Sequence, residues 1–206
     1  MVVGPLEVNC YILWDDATKE AFVIDPGGDA DEIKVLVAKE RLKVQYIVNT
    51  HGHFDHVGGD KGLKSSFGGA RLAIHSSDAG LLAEAHEHGV MYGVMTGNQP
   101  APDLLLKDGL ELEAGSVKLK VIHTPGHTRG GVCLYEQNMG LLFTGDTLFA
   151  GGIGRTDFEG GSYDAIMNSI KARLLTLDDK TKVYPGHGPS STIGRERTAN
   201  PFITRD

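Results

Sequence analysis

The segment Thr50-His51-Gly52-His53-Phe54-Asp55-His56 constrains this chain more than any other stretch of its sequence. It packs three of the nine histidines and an aspartate into six consecutive positions, directly after Val44 to Asn49. That preceding run is short and nearly all apolar, the pattern of a buried strand. Imidazole nitrogens and carboxylate oxygens are lone-pair donors of fixed direction, and together they suit a borderline divalent ion. In an extended turn His51 and His53 point the same way, and Gly52 keeps the backbone between them uncrowded. Asp55 and His56 lie past a bend and can face a second ion. The alternative is a chance histidine-rich surface loop, and the density of donors argues against it.

Three further donors stand at comparable places. His127 lies in Thr124-Pro125-Gly126-His127-Thr128, Asp146 in Phe143-Thr144-Gly145-Asp146-Thr147, and His187 in Val183-Tyr184-Pro185-Gly186-His187-Gly188. Each follows the C-terminal end of an expected strand and is preceded by glycine. Singly, a histidine after a strand is a weak sign. Together the three complete a ligand set that one loop cannot supply.

The pattern along the chain alternates strands and helices. Leu6 to Trp14 and Ala21 to Ile24 read as a hairpin, Asp29 to Arg41 as a helix with Ile33, Leu36 and Val37 at helical spacing, and Val44 to Asn49 as a strand. Gly58 to Phe67 and Ser76 to His88 read as helices separated by the strand Ala70 to Ile74, with Ser76 or Ser77 as a cap for the second. Met91 to Pro102 reads as a loop. Strands at Val117 to Ile122, Gly131 to Glu136 and Gly140 to Thr144, a helix at Tyr163 to Leu175 and a strand at Lys182 to Tyr184 follow. This order suggests two similar layers packed sheet to sheet with helices outside, in one domain over residues 1–206.

Composition removes several classes of function. No run of 18 apolar residues exists, so no transmembrane helix is expected, and no secretory signal opens the chain. A formal charge of −7 argues against a general polyanion-binding surface, so no nucleic-acid partner is expected. The two cysteines, Cys10 and Cys133, sit in strand-like apolar context and read as reduced thiols of a cytoplasmic protein. Of the remaining histidines, His75 and His123 read as packed residues, and His86 and His88 as surface residues near a helix C-terminus.

With these residues in view, the chain resembles the metallo-β-lactamase superfamily, whose signature is this His-x-His-x-Asp-His loop followed by a His, an Asp and a His. The resemblance implies a single-domain α/β fold, the αββα sandwich. It also implies two divalent ions, zinc first, with iron or manganese as alternatives. One ion would take His51, His53 and His127, the other Asp55, His56 and His187, with Asp146 bridging; Asp55 and Asp146 would be the catalytic carboxylates. Asp25, in Val23-Ile24-Asp25-Pro26-Gly27-Gly28, would orient ligands rather than bind. Two ions about 3.5 Å apart make hydroxide from a shared water at neutral pH. No Gly-x-Ser-x-Gly elbow offers a protein nucleophile instead.

Within the superfamily the chain is similar to glyoxalase II, on Gly145-Asp146-Thr147-Leu148-Phe149, Gly152 to Phe158 and Tyr184-Pro185-Gly186-His187-Gly188. That similarity implies a small-molecule thioester substrate, S-lactoylglutathione or a related hydroxyacyl thioester. Arg155 reads either as a clamp on a substrate carboxylate or as a loop-ordering partner of Asp157. Two departures stand out: no helical C-terminal domain is expected, and Pro189 stands where glyoxalase II carries a tyrosine. The alternative is persulfide dioxygenase, which shares Gly154 to Phe158 and the tail Arg197-Thr198-Ala199-Asn200-Pro201. It resembles a one-iron site on His51, His127 and Asp146.

Overall fold

The computed structural model describes residues 1–204. They form two compact units: Met1–Leu106 with Glu113–Val117, and Lys107–Leu112 with the residues from Lys118 onward.

The first unit opens with a two-stranded ribbon, β1 (Val2–Val3) and β2 (Val8–Asn9). Its main sheet has five strands in the order β3-β4-β5-β6-β7: β3 (Tyr11–Trp14), β4 (Glu20–Ile24), β5 (Lys43–Val48), β6 (Arg71–His75) and β7 (Leu104–Leu106). β3 and β4 form the expected antiparallel hairpin, and every later pair in the sheet is parallel. Parallel neighbours need a crossover, and helices supply it. α1 (Ala30–Lys39) joins β4 to β5, while α2 (Phe54–Val57) and α3 (Asp60–Ser66) join β5 to β6. α4 (Ala79–Ala83) and α5 (Ala85–Met91) lead to β7. Helix-covered parallel strands are buried along their length, which is why Phe22, Val23, Ile24, Ile47 and Val48 are all fully buried. Ile33 and Val37 of α1, Leu63 of α3 and Leu82 of α4 join the apolar core with Ile47, Leu72 and Ile74. The register pairs Ile24 with Val48 and Val48 with Ala73, so the chain leaves β4, β5 and β6 at one edge of the sheet. In open sheets of this kind ligands sit beyond the carboxyl ends of the strands. Asp25, His51 and Asp78 all lie there.

The second main sheet runs β15-β14-β11-β10-β9-β8. Its strands are β8 (Glu111–Ala114), β9 (Val117–His123), β10 (Val132–Glu136), β11 (Leu141–Gly145), β14 (Lys182–Pro185) and β15 (Ser191–Thr192). A small ribbon, β12 (Leu148–Phe149) and β13 (Gly152–Ile153), follows β11. β9 alternates buried Val117, Leu119 and Val121 with exposed Lys118 and Lys120, the period of a sheet with one solvated face. β14 returns parallel to β11 after α6 (Tyr163–Ser169), with Gly145 opposite Pro185. The residues just past these two ends, Asp146 and His187, therefore leave adjacent strands side by side. α7 (Ile193–Ala199) and α8 (Pro201–Thr204) close the described chain. No helix among the described residues is long and apolar enough to cross a membrane.

Several local expectations are corrected. The helix expected over Ser76 to His88 is a 3-10 turn (Ser76–Asp78) followed by α4 and α5, which break at Glu84. Its cap is His75, whose Nδ1 accepts from Ser77 N, rather than a serine. The helix expected over Tyr163 to Leu175 is α6 running into a π-turn at Ile170–Leu174. His88 lies in the last turn of α5, as expected, whereas His86 lies in its first turn, where its Nδ1 accepts from Gly97 N.

Asp15, in the turn between β3 and β4, accepts from Ala17 N, Thr18 N, Ser116 N and the Ser116 hydroxyl. These donors hold its carboxyl far below the usual carboxylate range, the Ser116 hydroxyl most of all. A lowered folded pKa stabilises above the unfolded value of about 4 and is lost as pH falls. Asp15→Asn is expected to melt below the wild type at pH 7, with the gap closing as pH falls below about 4. Thermal melts of both proteins across that range check it, and a gap independent of pH would contradict it.

Candidate metal centre

Each donor in the first unit sits on a backbone that the strands fix. His51 follows β5, is 1% exposed, and meets the Thr50 hydroxyl through Nδ1 at 3.1 Å. His53 caps α2 in an extended conformation, and that single helical turn carries Asp55 and His56. The His51 ring centroid lies 4.8 Å from that of His53 and 4.1 Å from that of His56. His56 Nε2 and Asp55 Oδ2 are 3.7 Å apart.

Behind these donors stands Asp25, buried past β4. One of its oxygens accepts from Thr50 N at 2.7 Å; the other accepts from the Thr50 hydroxyl at 2.7 Å and faces His56 Nδ1 at 3.2 Å. With its Nδ1 beside a carboxylate, the His56 imidazole turns Nε2 the other way, toward the ligand loop. Asp78, fully buried, performs a similar service on the backbone by accepting from Gly52 N at 3.1 Å. Sequence reasoning missed Asp78, because an aspartate 22 residues beyond His56 in an unrelated-looking segment carries no spacing signal.

The second unit repeats the logic. His127 Nδ1 meets the Arg155 carbonyl at 2.8 Å, which makes Nε2 the metal-facing nitrogen. That Nε2 lies 3.6 Å from Asp146 Oδ2, and His187 Nε2 lies 3.8 Å from the same oxygen. One carboxylate oxygen thus stands nearly equidistant from two imidazoles, the placement a bridging ligand needs. The Arg155 side chain makes a two-pronged pair with Asp157, Nε to Oδ1 at 3.0 Å and Nη2 to Oδ2 at 2.8 Å, and lies 4.1 Å over the Phe158 ring. The contact formed is the loop-ordering one. His123 hydrogen-bonds the Arg129 carbonyl through Nε2 at 3.0 Å, and His75 is buried as a helix cap, so both occupy structural places.

Two glycines carry the close packing on which the carboxylate donors rest. A Cβ on Gly27 would sit 1.7 Å from the Asp55 carbonyl oxygen, and one on Gly154 would sit 1.8 Å from the Asp146 carbonyl oxygen. In both cases backbone lies directly on the peptide of a donor residue, where only hydrogen fits.

Among the described residues, His51, His53, Asp55 and His56 of the first unit and His127, Asp146 and His187 of the second are donors that could hold an ion, the seven expected from the sequence. Imidazole with carboxylate suits zinc, iron or manganese alike. Neither cysteine takes part: burial pushes the Cys10 thiol up to about 12 and the Cys133 thiol up to about 11, which leaves both inert at neutral pH.

Comparison with known proteins agrees with this geometry. The family model described as metallo-beta-lactamase superfamily matches residues 3–187, across both units. The hydroxyacylglutathione hydrolase GloC of Haemophilus influenzae is 37% identical over 202 residues, 98% of this chain and 95% of that protein. Among solved structures, the BLEG-1 B3 metallo-beta-lactamase superposes with a TM-score of 0.92 at 36% identity, covering 100% of this chain and 98% of that one. TTHA1623, solved in a di-iron-bound form, gives 0.90 at 35% identity with 98% of each chain covered.

The geometry generates two expectations. Asp25→Asn keeps size and tolerates the left-handed backbone at that position (φ 49°), but turns an N–H toward His56; metal affinity should fall by about 10-fold or more in a competition titration with a chelator. Unchanged affinity would remove Asp25 from the centre. Gly154→Ala should lose metal from the Asp146 side while folding is retained by circular dichroism, and full metal content would contradict the packing argument.

Proposed function

The chain belongs to the metallo-beta-lactamase superfamily, and we propose that within it the protein is a binuclear thioesterase that cleaves S-lactoylglutathione or a related hydroxyacyl thioester. His51, His53 and His127 would hold one divalent ion, and Asp55, His56 and His187 the other, with zinc as the first expectation. The single observation that carries the two-ion reading is Asp146 Oδ2, which stands 3.6 Å from His127 Nε2 and 3.8 Å from His187 Nε2. When bound, such a pair of ions acidifies a water and polarises a carbonyl. The residues of the chain supply everything else. Asp25, the Thr50 hydroxyl and the Arg155 carbonyl fix the outer nitrogens of three imidazoles, so the donors need little rearrangement as charge develops on the substrate. Asp55 and Asp146 place negative charge beside the ions and set their spacing. No side-chain nucleophile takes part, which agrees with two inert thiols.

The thioester reading draws on Gly145 to Phe149, Gly152 to Phe158 and Tyr184 to Gly188, and on the name carried by the Haemophilus influenzae relative. A second reading, persulfide dioxygenase with one iron on His51, His127 and Asp146, draws on Gly154 to Phe158 and the Arg197 to Pro201 tail. The presence of Asp55, His56 and His187 beside the other four donors in the sequence favours hydrolysis, because a one-iron site on His51, His127 and Asp146 does not use them. Arg155 is available to a substrate carboxylate only by giving up Asp157, a surface pair of modest strength, on the order of 1 kcal/mol or less.

A single preparation with its metals quantified decides between the readings. Free thiol should be released from S-lactoylglutathione, with no oxygen uptake on glutathione persulfide and no opening of a chromogenic β-lactam. Oxygen consumption on the persulfide with one iron per chain would overturn the thioesterase reading.

A further inference from the structure

Two side chains at the ends of the ligand loop share a difficulty that an ion between the metal donors would not remove. Asn49 immediately follows β5, Asp60 opens α3, and both are fully buried. Asn49 Nδ2 donates to Asp60 Oδ2 at 2.6 Å. The second oxygen of each residue, Asn49 Oδ1 and Asp60 Oδ1, is a buried acceptor with no donor among the described residues. An ionised carboxylate has only acceptors, so with Asp60 charged both atoms stay unsatisfied and an anion lies buried without a cation. One proton removes both deficits. A carboxylic acid facing a primary amide closes a ring of two hydrogen bonds, N–H to oxygen one way and O–H to oxygen the other.

We propose that Asp60 is held as a neutral carboxylic acid that donates to Asn49 Oδ1 while accepting from Asn49 Nδ2, and that this ring positions the ligand loop by tying its two ends together. The residues enclosed between the ends include His51, His53, Asp55 and His56. Asp60 touches neither an ion nor a substrate; it is a positioning residue, and the proposal holds whichever substrate the centre takes. The surroundings act in the same direction. Burial pushes the Asp60 carboxyl well above the usual range, and the Asp25 carboxylate adds to the push. Cys10, another titratable group that feels Asp60, is itself neutral, and the N-terminal ammonium acts on Cys10 while bonding the Cys10 carbonyl.

The sign of the pH dependence follows. A carboxyl whose folded pKa is raised contributes its full stability below the unfolded value of about 4, and that contribution is lost as pH rises. Asp60→Asn closes the same ring as an amide pair and has no proton to lose. Metal-loaded wild type and Asp60→Asn should therefore melt together near pH 4, with the variant melting progressively higher toward pH 8; titration of the metal ligands is common to both and cancels. Asp60→Ala, which has no ring, should bind metal about 10-fold more weakly, while Asp60→Asn binds as the wild type does. Infrared difference spectra at pH 7 should show the carbonyl stretch of a protonated carboxylic acid in the wild type and not in Asp60→Asn. An Asp60→Asn protein that melts below the wild type by a margin growing above pH 4 would mark an ionised Asp60 and overturn the proposal. So would the absence of a protonated-acid band from the wild type at pH 7, a result that stands even if the variants fail to fold.

Discussion

The close approach of His56 Nδ1 to the Asp25 carboxylate, 3.2 Å, shows what the rest of this architecture has to provide. An imidazole can bind an ion through one nitrogen only if something fixes the other, and in a buried site that partner must itself be satisfied. Asp25 meets the requirement with a carboxylate that accepts from Thr50 N and the Thr50 hydroxyl and lies 3.2 Å from His56 Nδ1. Burying such an anion costs on the order of several kcal/mol when it is left unpaired. The parallel register of β4 beside β5 brings the compensating donors to it, with Asp25 N bonded to the Val48 carbonyl. The Arg155 carbonyl does for His127 what Asp25 does for His56, at the cost of one peptide group instead of a charge.

The donors were legible because their chemistry is rare and their positions regular. Four of them are concentrated in one loop after an apolar strand, and the other three each follow a glycine past a strand end. The strands β4, β5 and β6 were equally plain, though not their parallel direction, since a strand covered by helices must be apolar on both faces, as Phe22 to Ile24 are. What supports the donors was less visible. Asp78 acts on a backbone N–H and the Arg155 carbonyl on a ring nitrogen; the second of these leaves no trace in residue type at all. β7 is three residues long, too short for a period. α7 carries a single buried aliphatic residue, Ile193, beside the buried carboxylate of Glu196. That carboxylate receives Ser191, Gly151 N and Asn200, so a polar network stands where an apolar stripe would have announced a helix.

Substrate choice lives apart from this machinery. The strand ends and their hydrogen-bonded supports place the donors that could hold a metal, whereas the fold hosts several chemistries on similar donor sets. Arg155 illustrates the separation. Its carbonyl belongs to the centre through His127, while its guanidinium lies at the surface against Asp157 and Phe158. The paired glycines at 27 and 154 mark the inflexible part, backbone laid on the carbonyls of Asp55 and Asp146 with no space for a side chain.

The central claim is that one carboxylate serves two ions, and metal content per chain in the wild type and in Asp146→Ala tests it most directly. Elemental analysis after equilibration with zinc and removal of unbound metal should give two ions for the wild type and neither for the variant, because the loss of Asp146 takes a ligand from both. Two ions retained by Asp146→Ala would contradict the bridging role and, with it, the binuclear account.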